Sequence, residues 1–144
     1  MLHPNSVFVS NKAAAVYIVC GEPDKAIAQC EAAHRMNPLD SKKGATSTFT
    51  TLAAALYVAR RFDESIEAGR RALSFTPATN IARKYVAASL AQLDRIDEAR
   101  AEIAELIKYQ PDASLALLRL QPFRYNWMHE LHIDGVRKAG LREQ

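Results

Sequence analysis

The chain has 144 residues, about one domain with room for a sizeable core, and 49% apolar against 24% charged residues is an ordinary balance for a soluble globular protein. No apolar run approaches the roughly 20 residues a membrane span needs. The formal charge of +3 is modest, and acids separate the basic pairs Arg60-Arg61, Arg70-Arg71 and Arg83-Lys84, so they read as a solvated face rather than a nucleic-acid-binding stripe.

Met1-Leu2-His3-Pro4 lacks the basic-then-apolar plan of a signal peptide, so a cytoplasmic location is expected. Cys20 and Cys30 are too few and too widely spaced for a zinc or redox motif and read as small buried thiols in a reducing compartment. Abundant alanine with five glycines and six prolines favours helix throughout.

Internal spacing decides the organisation. Prolines at Pro4, Pro38, Pro77 and Pro111 are separated by 34, 39 and 34 residues. In the same register Ala14 corresponds to Ala53 and Ala87, and Tyr17 to Leu56 and Leu90. Ala26 likewise matches Ser65 and Ala99, and Ala33 matches Ala72 and Leu106. A small residue midway along each helix lets a partner helix approach, and the bulky residue after it fills the adjoining groove.

In chain order, residues 1–6 read as the remnant of a preceding repeat, with Leu2-His3-Pro4-Asn5 as its last turn, so that the chain begins within a longer solenoid. The first repeat (7–40) then has helix A over 7–19 and helix B over 23–37. Val7, Phe8 and Ile18 on this first helix A are expected to form an exposed edge that favours self-association. The five extra residues Ser41-Lys42-Lys43-Gly44-Ala45 are expected to form a loop, which a repeat array tolerates at little entropic cost. Repeats two (46–79) and three (80–113) follow, with A helices over 46–59 and 80–92 and B helices over 63–76 and 97–110. The B helices open with Asp24, Asp63-Glu64 and Asp97-Glu98 and close with Arg35, Arg70-Arg71 and Lys108, both complementing the helix dipole. Pro38, Pro77 and Pro111 stop them.

Past Pro111 the period fails, and residues 114–144 are expected to be capping helices. Leu115, Leu117, Leu118 and Leu120 suggest a short apolar turn broken by Pro122 and held by Phe123. A last helix over 126–139 carries Trp127, Met128, Leu131 and Val136, with Trp127 as the expected plug of the third repeat. Gly140-Leu141 fits a left-handed helix stop in which Leu141 reaches Val136.

Gly21-Glu22-Pro23-Asp24-Lys25-Ala26-Ile27 through Asn37-Pro38, Arg61-Phe62-Asp63-Glu64-Ser65-Ile66 with Ala72 and Pro77, and Arg95-Ile96-Asp97-Glu98-Ala99 with Pro111 together resemble the tetratricopeptide repeat (TPR) family over residues 7–113. The resemblance implies an all-α TPR superhelix, an α-α solenoid of three helix-turn-helix repeats with C-terminal capping helices. Ser10 and Arg83 depart from it in a column where the family favours Trp, which Phe49 fits better, and Ser65 and Gly69 replace larger or more apolar choices. A narrower resemblance rests on Gln121-Pro122-Phe123-Arg124 and Gly135-Val136-Arg137-Lys138-Ala139-Gly140-Leu141. It is to the C-terminal TPR segment of bacterial adenylate or guanylate cyclase-like or winged-helix regulatory proteins, and it implies a larger signalling parent with any cyclase domain outside this chain.

Nothing in the sequence points to catalysis. The glycines are scattered, so no phosphate-cradling loop exists, and no serine sits in a nucleophile elbow. His129 and His132, three apart beside Glu130, lack a third ligand nearby, so no metal, cofactor or catalytic residue is assigned. The site is instead expected in the concave groove lined by the A helices: Asn11, Lys12 and Ala15, then Thr50, Ala54 and Tyr57, then Lys84, Tyr85 and Ala88. Alanines leave room for a peptide, Tyr offers a rigid apolar anchor, and Lys or Asn can orient a carboxylate. The carboxylate clamp of chaperone-tail-binding TPR domains is not matched, since Ala15, Thr51 and Tyr85 stand where its residues would be wanted. The expected role is a protein-interaction and regulatory module with a protein or peptide in the groove, or a homodimer through the first helix. The alternative is helical-repeat nucleic-acid binding, for which no base-reading column or strongly basic groove appears.

Overall fold

A computed structural model describes residues 7–38, 41–120 and 125–144. The expectations for residues 1–6 and for Pro122 and Phe123 lie outside the described residues. Eight helices and no strand occur among the described residues: α1 (Val7–Val19), α2 (Pro23–Met36), α3 (Lys42–Val58), α4 (Phe62–Phe75), α5 (Asn80–Gln92), α6 (Ile96–Tyr109), α7 (Leu115–Leu118) and α8 (Asn126–Lys138).

Helices α1 and α2, α3 and α4, and α5 and α6 form the three pairs, and α2 and α4 each also pack against the first helix of the next pair. Helices α1, α3 and α5 touch in a row, while α2, α4 and α6 make no comparable approach to one another. One side of the stack is therefore closer-spaced than the other. Such a stack curves into a superhelix with α1, α3 and α5 on the inner face.

The repeat columns explain this packing. Ala14, Ala53 and Ala87 are completely buried, as are Ala26, Ser65 and Ala99, and Ala33, Ala72 and Leu106. Each is small enough, or oriented so, that the neighbouring helix closes over it. Ser65 keeps its buried hydroxyl satisfied by donating to the Ala53 carbonyl at 2.8 Å. Gly69 lets the Val86 side chain approach its Cα directly, where a β-carbon would collide. In the column that departs from the TPR pattern, Phe49 packs between His34 and Phe75, with ring centroids 5.2 and 6.2 Å away. Buried Arg83 instead donates to Glu102 and to the Pro77 carbonyl, both at 2.8 Å.

The turns inside the pairs share one backbone solution. Gly21, Arg60 and Asp94 occupy equivalent positions, and all are left-handed, with φ of 77°, 61° and 61°. The next amide in each case reaches back to the helix, from Glu22 to Tyr17, Arg61 to Leu56 and Arg95 to Leu90, at 2.8–2.9 Å. This closes the orphan carbonyls at the end of each first helix.

Two expectations need correction here. The inserted residues 41–45 are not a loop: α3 begins at Lys42, and the Ser41 side chain caps it by accepting from the Gly44 amide at 3.1 Å. A serine N-cap stabilises a helix start, and the short insertion is absorbed as an extra turn. Ile18 does not contribute to an exposed edge, being 5% exposed; the large apolar side chains that α1 presents to solvent are Phe8 and Val16.

Candidate functional site

The inner trough of the stack is divided in two by the last helix. α8 packs on α5 and crosses the C-terminal halves of α3 and α5. Its buried residues Met128, His132, Gly135 and Val136 recur at helical spacing, which gives α8 one face to lay down. Tyr57 of α3 is fully buried beneath it and donates its hydroxyl hydrogen to the Leu131 carbonyl at 2.6 Å. Gln92 of α5 donates to the Tyr57 hydroxyl at 3.2 Å, so the three elements are joined at one point. At Gly135 the two helices are so close that an added β-carbon would lie 2.8 Å from the Ala88 β-carbon and would strike the Tyr57 hydroxyl.

An aromatic stack completes the junction. The His132 imidazole lies against the Tyr85 ring with centroids 4.4 Å apart and planes 7° from parallel, and the Tyr57 ring meets His132 edge-on at 5.7 Å. Burial, with the Lys84 ammonium and His129 as smaller contributions, pushes the His132 pKa down to about 3, so the ring is neutral. Among the described residues neither imidazole nitrogen has a hydrogen-bond partner. Burial likewise lowers the Lys84 ammonium, against a small opposing pull from Asp112, and raises the Tyr85 and Tyr57 phenols.

The other half of the trough is open. It is a cavity of about 890 Å³ between α1, α3 and the start of α5. Ala15, Ile18, Ala54 and Ile81 supply its apolar lining, Thr46 and Thr50 its hydroxyls, and Lys42 and Lys43 its charges. A second cavity of about 560 Å³ adjoins it and shares Ala15, Lys43, Ser47 and Thr51. Ile81 is 54% exposed although it stands on a helix whose other face is core.

Against this geometry the expected site residues separate into three groups. Ala15, Thr50, Ala54 and Tyr85 line the open cavity, and Lys12 lines its extension. Tyr57 and Ala88 are corrected: both are fully buried under α8 and present nothing to a ligand. Lys84 is corrected too, being 9% exposed and outside both cavities, close enough to His132 and Asp112 to act on them electrostatically. Asn11 borders the extension, but its amide is committed within the fold, donating to Thr48 at 3.0 Å and accepting the Thr48 hydroxyl at 3.2 Å. The repeat register assigned these residues to one face of each first helix. It carried no information on which part of that face α8 would cover.

Sequence reasoning missed Lys42, Lys43 and Ile81. The lysines were assigned to a loop, whereas the extra turn of α3 brings both to the cavity. Ile81 had a usable signal: it shares a repeat column with Phe8 and Ser47, which line the adjoining cavity. Trp127 does not plug the third repeat. It is 46% exposed, and Met128, Ile133 and Val136 are the buried residues of that helix. The helix stop at Gly140 has φ of 98°, and the Leu141 amide returns to the Val136 carbonyl at 3.0 Å.

No group of three or more His, Cys, Asp or Glu side chains converges among the described residues. Cys30 is buried, and desolvation raises its thiol to about 12, the opposite of an activated nucleophile. No helix of the described residues is long and apolar enough to cross a membrane.

No protein-family model matches the sequence. The chain is 31% identical over 113 residues to the small glutamine-rich tetratricopeptide repeat-containing protein 2 of Mycosarcoma maydis, a match covering 78% of this chain and 30% of that protein. The chain thus spans about a third of the length of this relative. Among solved structures it resembles the first TPR domain of human RPAP3, with a TM-score of 0.70 and 16% identity over 94% of this chain and 98% of that one. A TPR-like protein of Chlorobium tepidum TLS matches with a TM-score of 0.65 and 23% identity, over 94% of both chains. The structural likenesses establish a TPR superhelix as the fold, and with the curated relative they support the tetratricopeptide-repeat family for this chain.

Proposed function

We propose that this chain is a protein-interaction module whose ligand, a segment of another protein, lies in the open half of the trough between α1, α3 and α5. The observation that carries this reading is the cavity itself: about 890 Å³, with Ala15, Ile18, Ala54 and Ile81 as an apolar lining beside threonine hydroxyls. A cavity of that size and make-up suits a few apolar side chains of a peptide, with polar groups at hand for its backbone. A displayed library of random peptides, selected on the chain, tests it. Binding of the selected clones is expected to fall at least about tenfold in Ala15→Arg, which fills the cavity from an exposed position, and to persist in the Asp63→Lys control. Undiminished binding by Ala15→Arg would remove the groove from consideration.

A second reading, self-association through α1, has Phe8 and Val16 in its favour, which are 56% and 61% exposed. Sedimentation of the chain beside Phe8→Glu decides it: a dimer lost in the variant supports it, and a wild-type monomer at high concentration excludes it. The C-terminal ending's resemblance to cyclase-like regulatory proteins further suggests the C-terminal part of a larger signalling protein, which the reading frame upstream of this segment would test directly.

A further inference from the structure

We propose that the open groove selects an acidic, apolar segment of its protein partner, and that Lys42 and Lys43 of the inserted turn read the acidic charge. This deepens the interaction reading above and depends on it. Three features lead to it.

The first is what the insertion does. In the third repeat α5 begins at Asn80, and the equivalent start in the second repeat would be Thr46; α3 begins at Lys42 instead. The extra turn is helical, capped by Ser41, and carries two adjacent lysines, both exposed and both bordering the cavity. Lys43 also borders the extension, beside Lys12.

The second is the absence of balancing charge. Among the described residues, no acidic side chain lines either cavity. Elsewhere several basic side chains are ion-paired within the fold: Lys25 with Glu22, Arg61 with Glu64, Arg83 with Glu102, Arg95 with Glu98 and Lys108 with Glu105. Lys42 and Lys43 make no ion pair among the described residues, and Lys12 meets only the Phe8 ring, at 5.5 Å. Positive charge thus gathers at the mouth of an apolar cavity, where low-dielectric walls concentrate its field.

The third is the lining, which distinguishes a protein segment from a nucleic acid. Ala15, Ile18, Ala54 and Ile81 suit aliphatic side chains, while the cavity's sole aromatic lining residue, Tyr85, is 5% exposed and already stacked on His132. Among the described residues the main cavity presents no free aromatic platform to a base, and Phe8 in the extension lies beneath the Lys12 ammonium.

The random-peptide selection, read for composition, tests the proposal. Enriched peptides are expected to combine Asp or Glu with aliphatic residues. Binding of an enriched synthetic peptide is expected to fall at least about tenfold in the Lys42→Glu/Lys43→Glu double variant, and severalfold between about 50 mM and about 300 mM salt. Neutral or basic enriched peptides, or an unchanged affinity in the double variant, would overturn it. If Ala15→Arg abolishes binding while the double variant binds normally, the groove stands and the charge rule falls. Indifference to both changes removes both, as does a selection that enriches nothing. Tighter binding of single-stranded poly(U) than of any enriched peptide, lost in the double variant, would assign the lysines to nucleic acid.

Discussion

The imidazole of His132 lies flat on the phenol ring of Tyr85, 4.4 Å between centroids, with both nitrogens buried and without a hydrogen-bond partner among the described residues. The pair joins the last helix to the inner face of the third repeat, at the border of the open cavity.

The first prediction concerns pH. Docking holds the His132 pKa near 3, far below its ordinary 6.5, because burial and nearby Lys84 disfavour the cation. A released or unfolded His132 takes up a proton below about pH 6.5 that the docked ring refuses, so the contribution is complete above that pH and is lost as pH falls from 6.5 towards 3. At about pH 5 the loss is about 2 kcal/mol. The protection factors of amides in residues 126–138, taken against the unstructured exchange rate at each pH, are expected to fall on acidification. His132→Phe should flatten that dependence and keep α8 docked, since it removes two buried polar atoms that have no partner. A variant with the same acid response as the parent would move the effect to another group.

Gly135 is a second point of control. A methyl at this position meets Tyr57 and Ala88, neither of which has room to retreat. Gly135→Ala is therefore expected to destabilise by about 1–3 kcal/mol despite alanine's better helix propensity. Thermal unfolding measures it, and an increase in Tm would show that α8 shifts freely along the trough.

The left-handed turn column predicts gains rather than losses. Arg60 and Asp94 hold φ of 61°, where Gly21 in the equivalent turn is glycine. Arg60→Gly and Asp94→Gly are each expected to stabilise by about 0.5–1 kcal/mol by relieving the β-carbon clash. Denaturant midpoints check this, and a loss in both variants would contradict it.

Ser41→Ala tests the inserted turn. Loss of the cap to the Gly44 amide is expected to cost about 1 kcal/mol and to fray the turn carrying Lys42 and Lys43, weakening capture of acidic peptides without unfolding the repeats. Helix signals lost from residues 42–45 alone, by NMR, would fit; unchanged signals would show that Ser41 is dispensable.

Asn11→Ala separates structure from recognition. Its amide is bonded to Thr48, so the variant should lose about 1–2 kcal/mol by orphaning that buried hydroxyl while peptide binding stays unchanged.

Much of the fold was legible because its determinants are local and repeated. The columns Ala14/Ala53/Ala87 and Ala26/Ser65/Ala99 recur at the repeat spacing, and each proves to be completely buried. The inserted turn was misread because a length anomaly reports extra residues and not their conformation; the Ser41 cap and the next turn of α3 decide that it is helix. Tyr57, Lys84 and Ala88 were misplaced for a different reason. Their helix face follows from the 3.6-residue period, but what covers that face is α8, where Gly135 lies 78 positions beyond Tyr57 and 47 beyond Ala88.

Period, composition and turn residues thus determined by themselves that the chain is a stack of helix pairs, because helix pairing is written in near-neighbour spacing. Only the tertiary structure decided how that trough is shared. The path of α8 across α3 and α5 depends on long-range contacts, Tyr57 with Leu131 and Tyr85 with His132, which no spacing rule encodes.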